Sequence, residues 1–145
     1  MTRLLAALLA ACLGLAATAA AQETSVPLAS QLGGNTLNAV IFVPRGTTGG
    51  KGALNRLMFQ AFLRQNGSAL VRVWDTARDA YTAPVERRWH AEGSIFCLDI
   101  PMSEIAGEAC ADVHVWGPRI AGTGSGRFFM LDGDIQSGNA LLAAQ

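Results

Sequence analysis

From Leu37 onward the chain is a succession of short apolar runs. Glycine, proline, asparagine or aspartate breaks them about every 8–12 positions, the pattern of an antiparallel β domain. Leu37–Val43, rich in valine, isoleucine and phenylalanine, reads as a strand stopped by Pro44. Before it, Gln22–Ser30 carries Pro27 and no period, so the lead-in 22–31 is expected to be extended. Arg45–Gly52 is rich in glycine and threonine and reads as a loop. Ala109–Trp116 alternates most cleanly. Ala109, Ala111, Val113 and Val115 take one face, and Cys110, Asp112, His114 and Trp116 take the other.

Residues 53–66 admit two readings. Leu54, Leu57, Met58, Ala61 and Phe62 fit one face of a helix, but that helix would turn Phe59 and Leu63 to water. A hairpin across Asn66-Gly67 wastes fewer aromatics and is the reading adopted. A two-residue turn there sets Leu63 opposite Leu70, Phe62 opposite Val71 and Phe59 opposite Trp74, which leaves both faces partly apolar. Tyr81–Ala91, interrupted by Pro84, gives an edge strand or two short ones, and Ile95–Ile100 gives another strand. Gly122–Gly126 reads as a loop, and Arg127–Leu131 with Ile135–Ser137 as a last hairpin around Asp132-Gly133-Asp134. About seven or eight strands result, arranged as a small barrel or a two-sheet sandwich. A single β domain covers 32–139, followed by a tail at 140–145.

The first 21 residues stand apart. Met1–Arg3 is a basic start, Leu4–Leu15 is leucine and alanine, and Ala19-Ala20-Ala21 suits a signal peptidase, so the mature chain is expected to begin at Gln22. Leu4–Ala21 is a little short of the roughly 20 residues that span a bilayer. Leu9-Ala10-Ala11-Cys12 resembles a lipoprotein cleavage box, and a lipid on Cys12 is the one route by which a membrane would become a partner. Periplasmic or extracellular residence follows from the leader. Removing it also takes away Cys12 and leaves Cys97 and Cys110, an even pair that reads as one disulfide in an exported chain. If the two cysteines face each other, Phe96 meets Ala111, Leu98 meets Ala109 and Ile95 meets Asp112. One side of that hairpin is then wholly apolar: Phe96, Leu98, Ile100, Ala109, Ala111 and Val113.

Charge and motifs narrow the chemistry. Eleven basic residues balance eleven acidic ones, with no footprint for nucleic acid. His90 and His114, the only two histidines, lie far apart in sequence, and joining them to Asp99 or Asp112 makes a poor metal site, so none is expected. Asp132-Gly133-Asp134 lacks the oxygens of a calcium loop, and Gly122–Gly126 lacks the helix of a phosphate loop. Glu86 and Glu92 flank Trp89 as a solvated pair, and no nucleophile elbow is present. No catalytic residue and no cofactor are therefore expected. Arg78, Arg87 and Arg88 beside Trp74 and Trp89, together with Trp116, are the candidate binding surface.

The order Gly34-Asn35-Thr36-Leu37, Asn66-Gly67, Trp89…Gly93…Cys97, Cys110, Gly133 and Gly138-Asn139 resembles a group of small secreted bacterial proteins. These carry a domain of unknown function with a W-x-x-x-G-x-x-x-C…C…G…GN pattern. The likeness covers about residues 32–139 and departs in its wide cysteine spacing and its insert at 45–52. It implies an exported β domain with no assigned reaction. The function expected is a non-catalytic binding module for a small apolar ligand or an envelope component. The alternatives are an inhibitor of an envelope-directed hydrolase, contacting it through loops 45–52 and 117–126, and an enzyme with an unrecognised site.

Overall fold

The structure, a computed structural model, describes residues 25–44, 54–103, 105, 107–125, 128 and 130–142. The leader, Cys12, the loop at 45–52 and the last residues of the tail lie outside them. A helix α1 (Leu28–Leu32) precedes nine strands: β1 (Asn35–Pro44), β2 (Leu54–Leu63), β3 (Ser68–Asp75), β4 (Ala80–Tyr81), β5 (Val85–Glu92), β6 (Ile95–Asp99), β7 (Glu108–Trp116), β8 (Arg119–Gly124) and β9 (Met130–Ser137). All pairings are antiparallel, and apart from the short β4 each strand lies beside its sequence neighbours. The β1–β9 pairing closes the ring, so the architecture is an eight-stranded barrel, with β4 added alongside β3. Closure removes the exposed edges that a sandwich would leave.

Alternation decides what faces in. On β1, Leu37, Ala39, Ile41 and Val43 are buried, and on β2 Phe59, Ala61 and Leu63 join them. Eight strands leave an interior that side chains can fill or that holds one small ligand. Phe59, Phe96, Ile41, Leu98, Ile120 and Leu131 occupy it here, so the barrel centre is a packed core.

The two rims differ. At one, α1 lies across the barrel end against β1 and β5 and buries Leu28 and Leu32, one helical turn apart, each contributing about 1.5–3 kcal/mol. That pair is why the expected extended lead-in becomes helical over 28–32: the turn aims both leucines into the barrel. Leu141 is buried as well. The same rim carries the tight turns after β2, β5 and β7. Thr36 ties the seam there, its hydroxyl donating to the Gly138 carbonyl (2.7 Å) and accepting from Ala140 N–H (2.9 Å). At the other rim the connections β1–β2, β3–β5, β6–β7 and β8–β9 are longer, and Ile105 folds inward, bridged to Met102.

The hairpin reading of 53–66 holds, but the register differs from expectation by one residue. Leu63 pairs with Ala69, Phe62 with Leu70 and Phe59 with Val73. The loop has three residues, not two. Arg64 N–H donates to Ser68 O, Gly67 N–H donates to Arg64 O, and Gly67 sits at φ 82°, where glycine is favoured. A one-residue shift flips faces, so Phe59, Ala61 and Leu63 now share the interior with Ala69 and Val71.

A second correction falls on the last strands. Residues 119–124 form β8, paired on both sides, where a loop at 122–126 was expected. Asp132-Gly133-Asp134 is mid-strand in β9, not a turn. Both aspartates point outward to Arg119 (2.7 and 3.1 Å), while Gly133 faces inward opposite Ala39 and Ile120. The Cys97–Cys110 hairpin has the expected register throughout, and the two sulfurs are bonded.

Candidate functional site

At the open rim, the ends of β2 and β3 and the segment 101–103 enclose a cleft of about 330 Å³. Its floor is the top of the core. Leu57 and Val73, both on inward-facing positions, and Met102 pack on buried residues yet remain only partly covered. These three belong to the interior by alternation. They reach solvent because the strands end there.

The walls are built by the β3–β4 hairpin. Asp75 Oδ1 accepts from the N–H groups of Ala77 and Arg78, which sets the turn. Thr82 fastens its return: its N–H donates to Val73 O (2.9 Å) and its Oγ1 accepts from Val73 N–H (3.2 Å). Trp74 stands on this wall with Tyr81 edge-on to it, ring centroids 5.1 Å apart. The Arg72 guanidinium lies over the Tyr81 ring at 4.9 Å, and its Nε donates to Gln60 Oε1 at 2.7 Å. Trp74 is thus held from behind by an aromatic, which is held in turn by a cation.

Burial pushes the Tyr81 phenol above its ordinary 10.0, and Arg72 pulls it partly back. The neutral phenol is favoured by the fold, so that contribution to stability is whole below pH 10.0 and is lost as pH rises through the raised value. Tyr81 is the only tyrosine. Phenolate absorbance in the folded protein should therefore give one midpoint above 10.0, and Arg72→Gln should move it higher still. A wild-type midpoint at or below 10.0 would mean that the ring is not packed in the hairpin.

The three tryptophans named from the sequence are not brought together. Trp74 is at the cleft. Trp89 is 5% exposed beneath the capped rim, its Nε1 donating to Arg64 O at 2.8 Å. Trp116 is 47% exposed on the outer wall of the capped rim, stacked on His114. Arg87 pairs with Asp99 (3.6 Å), Arg78 with Asp75 (3.5 Å), and Arg88 is exposed on the wall. The segment 117–126 is not a single loop, because β8 carries it from the capped rim to the open one. Pro44 and Leu54, which flank 45–53, are at the open rim, whereas Gly117-Pro118 is a turn at the capped one. His90 and His114 also part company, since His90 Nδ1 lies 3.2 Å from Glu108 Oε1 on the outer wall.

No family model matches the sequence, and none of the curated proteins matches it. Of the residues that carry the resemblance, Asn35, Thr36, Gly138 and Asn139 lie at the β1–β9 seam, while Trp89, Cys97, Cys110 and Gly133 lie within strands. Thr36 bonds to Gly138, Gly138 N–H donates to Asn35 Oδ1, and Asn139 Oδ1 accepts from Leu141 N–H.

Proposed function

We propose that this is an exported, non-catalytic binding module that takes a small apolar ligand in the cleft at the open rim. One observation carries the reading: Leu57, Val73 and Met102 present a partly uncovered apolar floor beside Trp74 in a space of about 330 Å³. That volume falls at the small end of ligand sites, which run roughly 300–1,000 Å³, and the apolar floor lies within a polar rim. Arg56, Asp75 and Thr82 supply the polar groups at its margin. The packed centre keeps the ligand at the mouth. Export rests on the leader and on the disulfide, since such bonds persist in oxidising compartments. The mature chain begins at Gln22 and carries no lipid. Mass spectrometry of material from the native host should find that N-terminus and no free thiol, whereas an acylated Cys12 would move the protein to a membrane.

Titration with anilinonaphthalene sulfonate, an anion whose aromatic body seeks apolar surface, tests the cleft. Saturable one-site binding with quenching of tryptophan emission is expected. Trp74→Ala and Met102→Ser should each weaken it by about tenfold, the loss of roughly 1.4 kcal/mol of contact. Trp116→Ala, on the far rim, should leave the affinity unchanged. Non-saturable binding, or equal affinity in all three variants with circular dichroism intact, would remove the cleft from consideration.

A further inference from the structure

We propose that the outer-wall patch around the Cys97–Cys110 bridge is a redox-gated site for a zinc-class divalent ion. Opening the bridge frees two thiols beside His90 and Glu108, and the four side chains then ligate one metal, the sulfurs as thiolates. The patch shares no residue with the cleft and does not depend on it.

Register places the ligands. His90 on β5 pairs with Cys97 on β6, and Cys97 pairs with Cys110 on β7, so the three form a row across adjacent strands. Glu108 is two residues before Cys110 and therefore on the same face. One ligand atom each from His90, Cys97 and Glu108 lies within 4.8 Å of the others. Cys110 Sγ, bonded to Cys97 Sγ and 3.9 Å from Glu108 Oε2, completes the set. Ligands around a tetrahedral zinc sit roughly 3.3–3.8 Å apart, so small rotations of these side chains meet the requirement once the sulfurs are free to separate. Two thiolates, an imidazole and a carboxylate are donors that zinc accepts in closed sites. His90 and Glu108 are half-exposed and give an ion access, while Cys97 at 3% exposed keeps the sulfur side dry.

The bridge is the gate. While it is closed, both sulfurs are uncharged and bonded to each other, and His90 and Glu108 face one another at 3.2 Å. A dithiol opens it by taking the sulfur–sulfur bond's place as a disulfide, supplying two electrons and two protons to Cys97 and Cys110. Metal binding then releases both thiol protons to solvent. The carboxylate beside Cys110 repels an incoming thiolate, so a neutral phosphine is the better laboratory reductant. It becomes the phosphine oxide, its oxygen and the two thiol protons coming from one water.

The full chain, reduced with a water-soluble phosphine and titrated with cobalt(II) in place of zinc, gives the test. One equivalent should bind with a thiolate-to-cobalt charge-transfer band that zinc bleaches, and the unreduced protein should show none. His90→Ala and Glu108→Gln should each weaken the reduced form's affinity by at least about tenfold, and Cys97→Ser should cut the band to about half or less. If reduction unfolds the barrel, zinc should restore its β-sheet circular dichroism. The proposal fails if the folded, reduced protein gives no such band, if His90→Ala and Glu108→Gln leave the affinity unchanged, or if zinc does not restore a barrel lost on reduction.

Discussion

Replacing Phe59 by alanine should remove about 3–5 kcal/mol of stability, read from urea unfolding followed by circular dichroism. The ring is 0% exposed, and its partners on the neighbouring strands are Ala39 and Val73. Neither reaches far enough to fill the hole. The surrounding wall is a closed ladder of hydrogen bonds and collapses little, so the cavity cost adds to the lost transfer energy. Against a total of roughly 5–15 kcal/mol for a domain of this size, at least about a fifth of the stability goes, and melting falls by roughly 10–20 °C. Met130→Ala, at a side chain 47% exposed on the outer wall, should change stability by no more than about 0.5 kcal/mol. A loss below about 1 kcal/mol at Phe59 would mean that the ring does not sit in a sealed interior.

Gly133→Val should be comparably severe, for the opposite reason. A Cβ at Gly133 would meet the Asn38 carbonyl oxygen at 2.5 Å and the Ala39 Cβ at 2.9 Å. The nearest atom is backbone, so nothing swings aside; β1 and β9 have to part. Gly133→Ala should cost about 1–3 kcal/mol and the valine variant more, with exchange protection lost first along the β1–β9 pairing. A valine variant as stable as wild type would mean that the seam is looser than its register implies.

How much was legible in the sequence varied with the reach of the signal. The cysteine hairpin was readable because a covalent link and an alternating strand pointed to one register. The Asn66-Gly67 turn was readable as a turn, but its length was not. Gly67 serves either loop, and only the hydrogen bonds from Arg64 distinguish three residues from two. Asp132-Gly133-Asp134 carries turn composition. It is a strand because Arg119 holds both carboxylates from a neighbouring strand and because only glycine fits against Ala39, neither of which is a local signal. Closure of the barrel was equally hidden, since it joins segments about a hundred residues apart.

The sites divide in the same way. Trp74 stood out as an aromatic beside charges. Leu57, Val73 and Met102 did not, because alternation assigns the first two to the core and only the end of the strands uncovers them. His90 was weighed as a ligand beside His114, Asp99 or Asp112, whereas in the structure it stands beside Cys97 and Glu108. Its neighbours are on β6 and β7, and no spacing along the chain announces them.

The seam between the first and last strands has a consequence for biogenesis. Thr36 and Gly138 stand 102 positions apart, and β9 supplies one whole flank of β1. A nascent chain that has not yet yielded its final strand carries two unpaired margins, on β1 and β8, each a template for misassociation. The ring therefore closes only once β9 has been made, and until then the earlier strands remain an open, unsealed sheet.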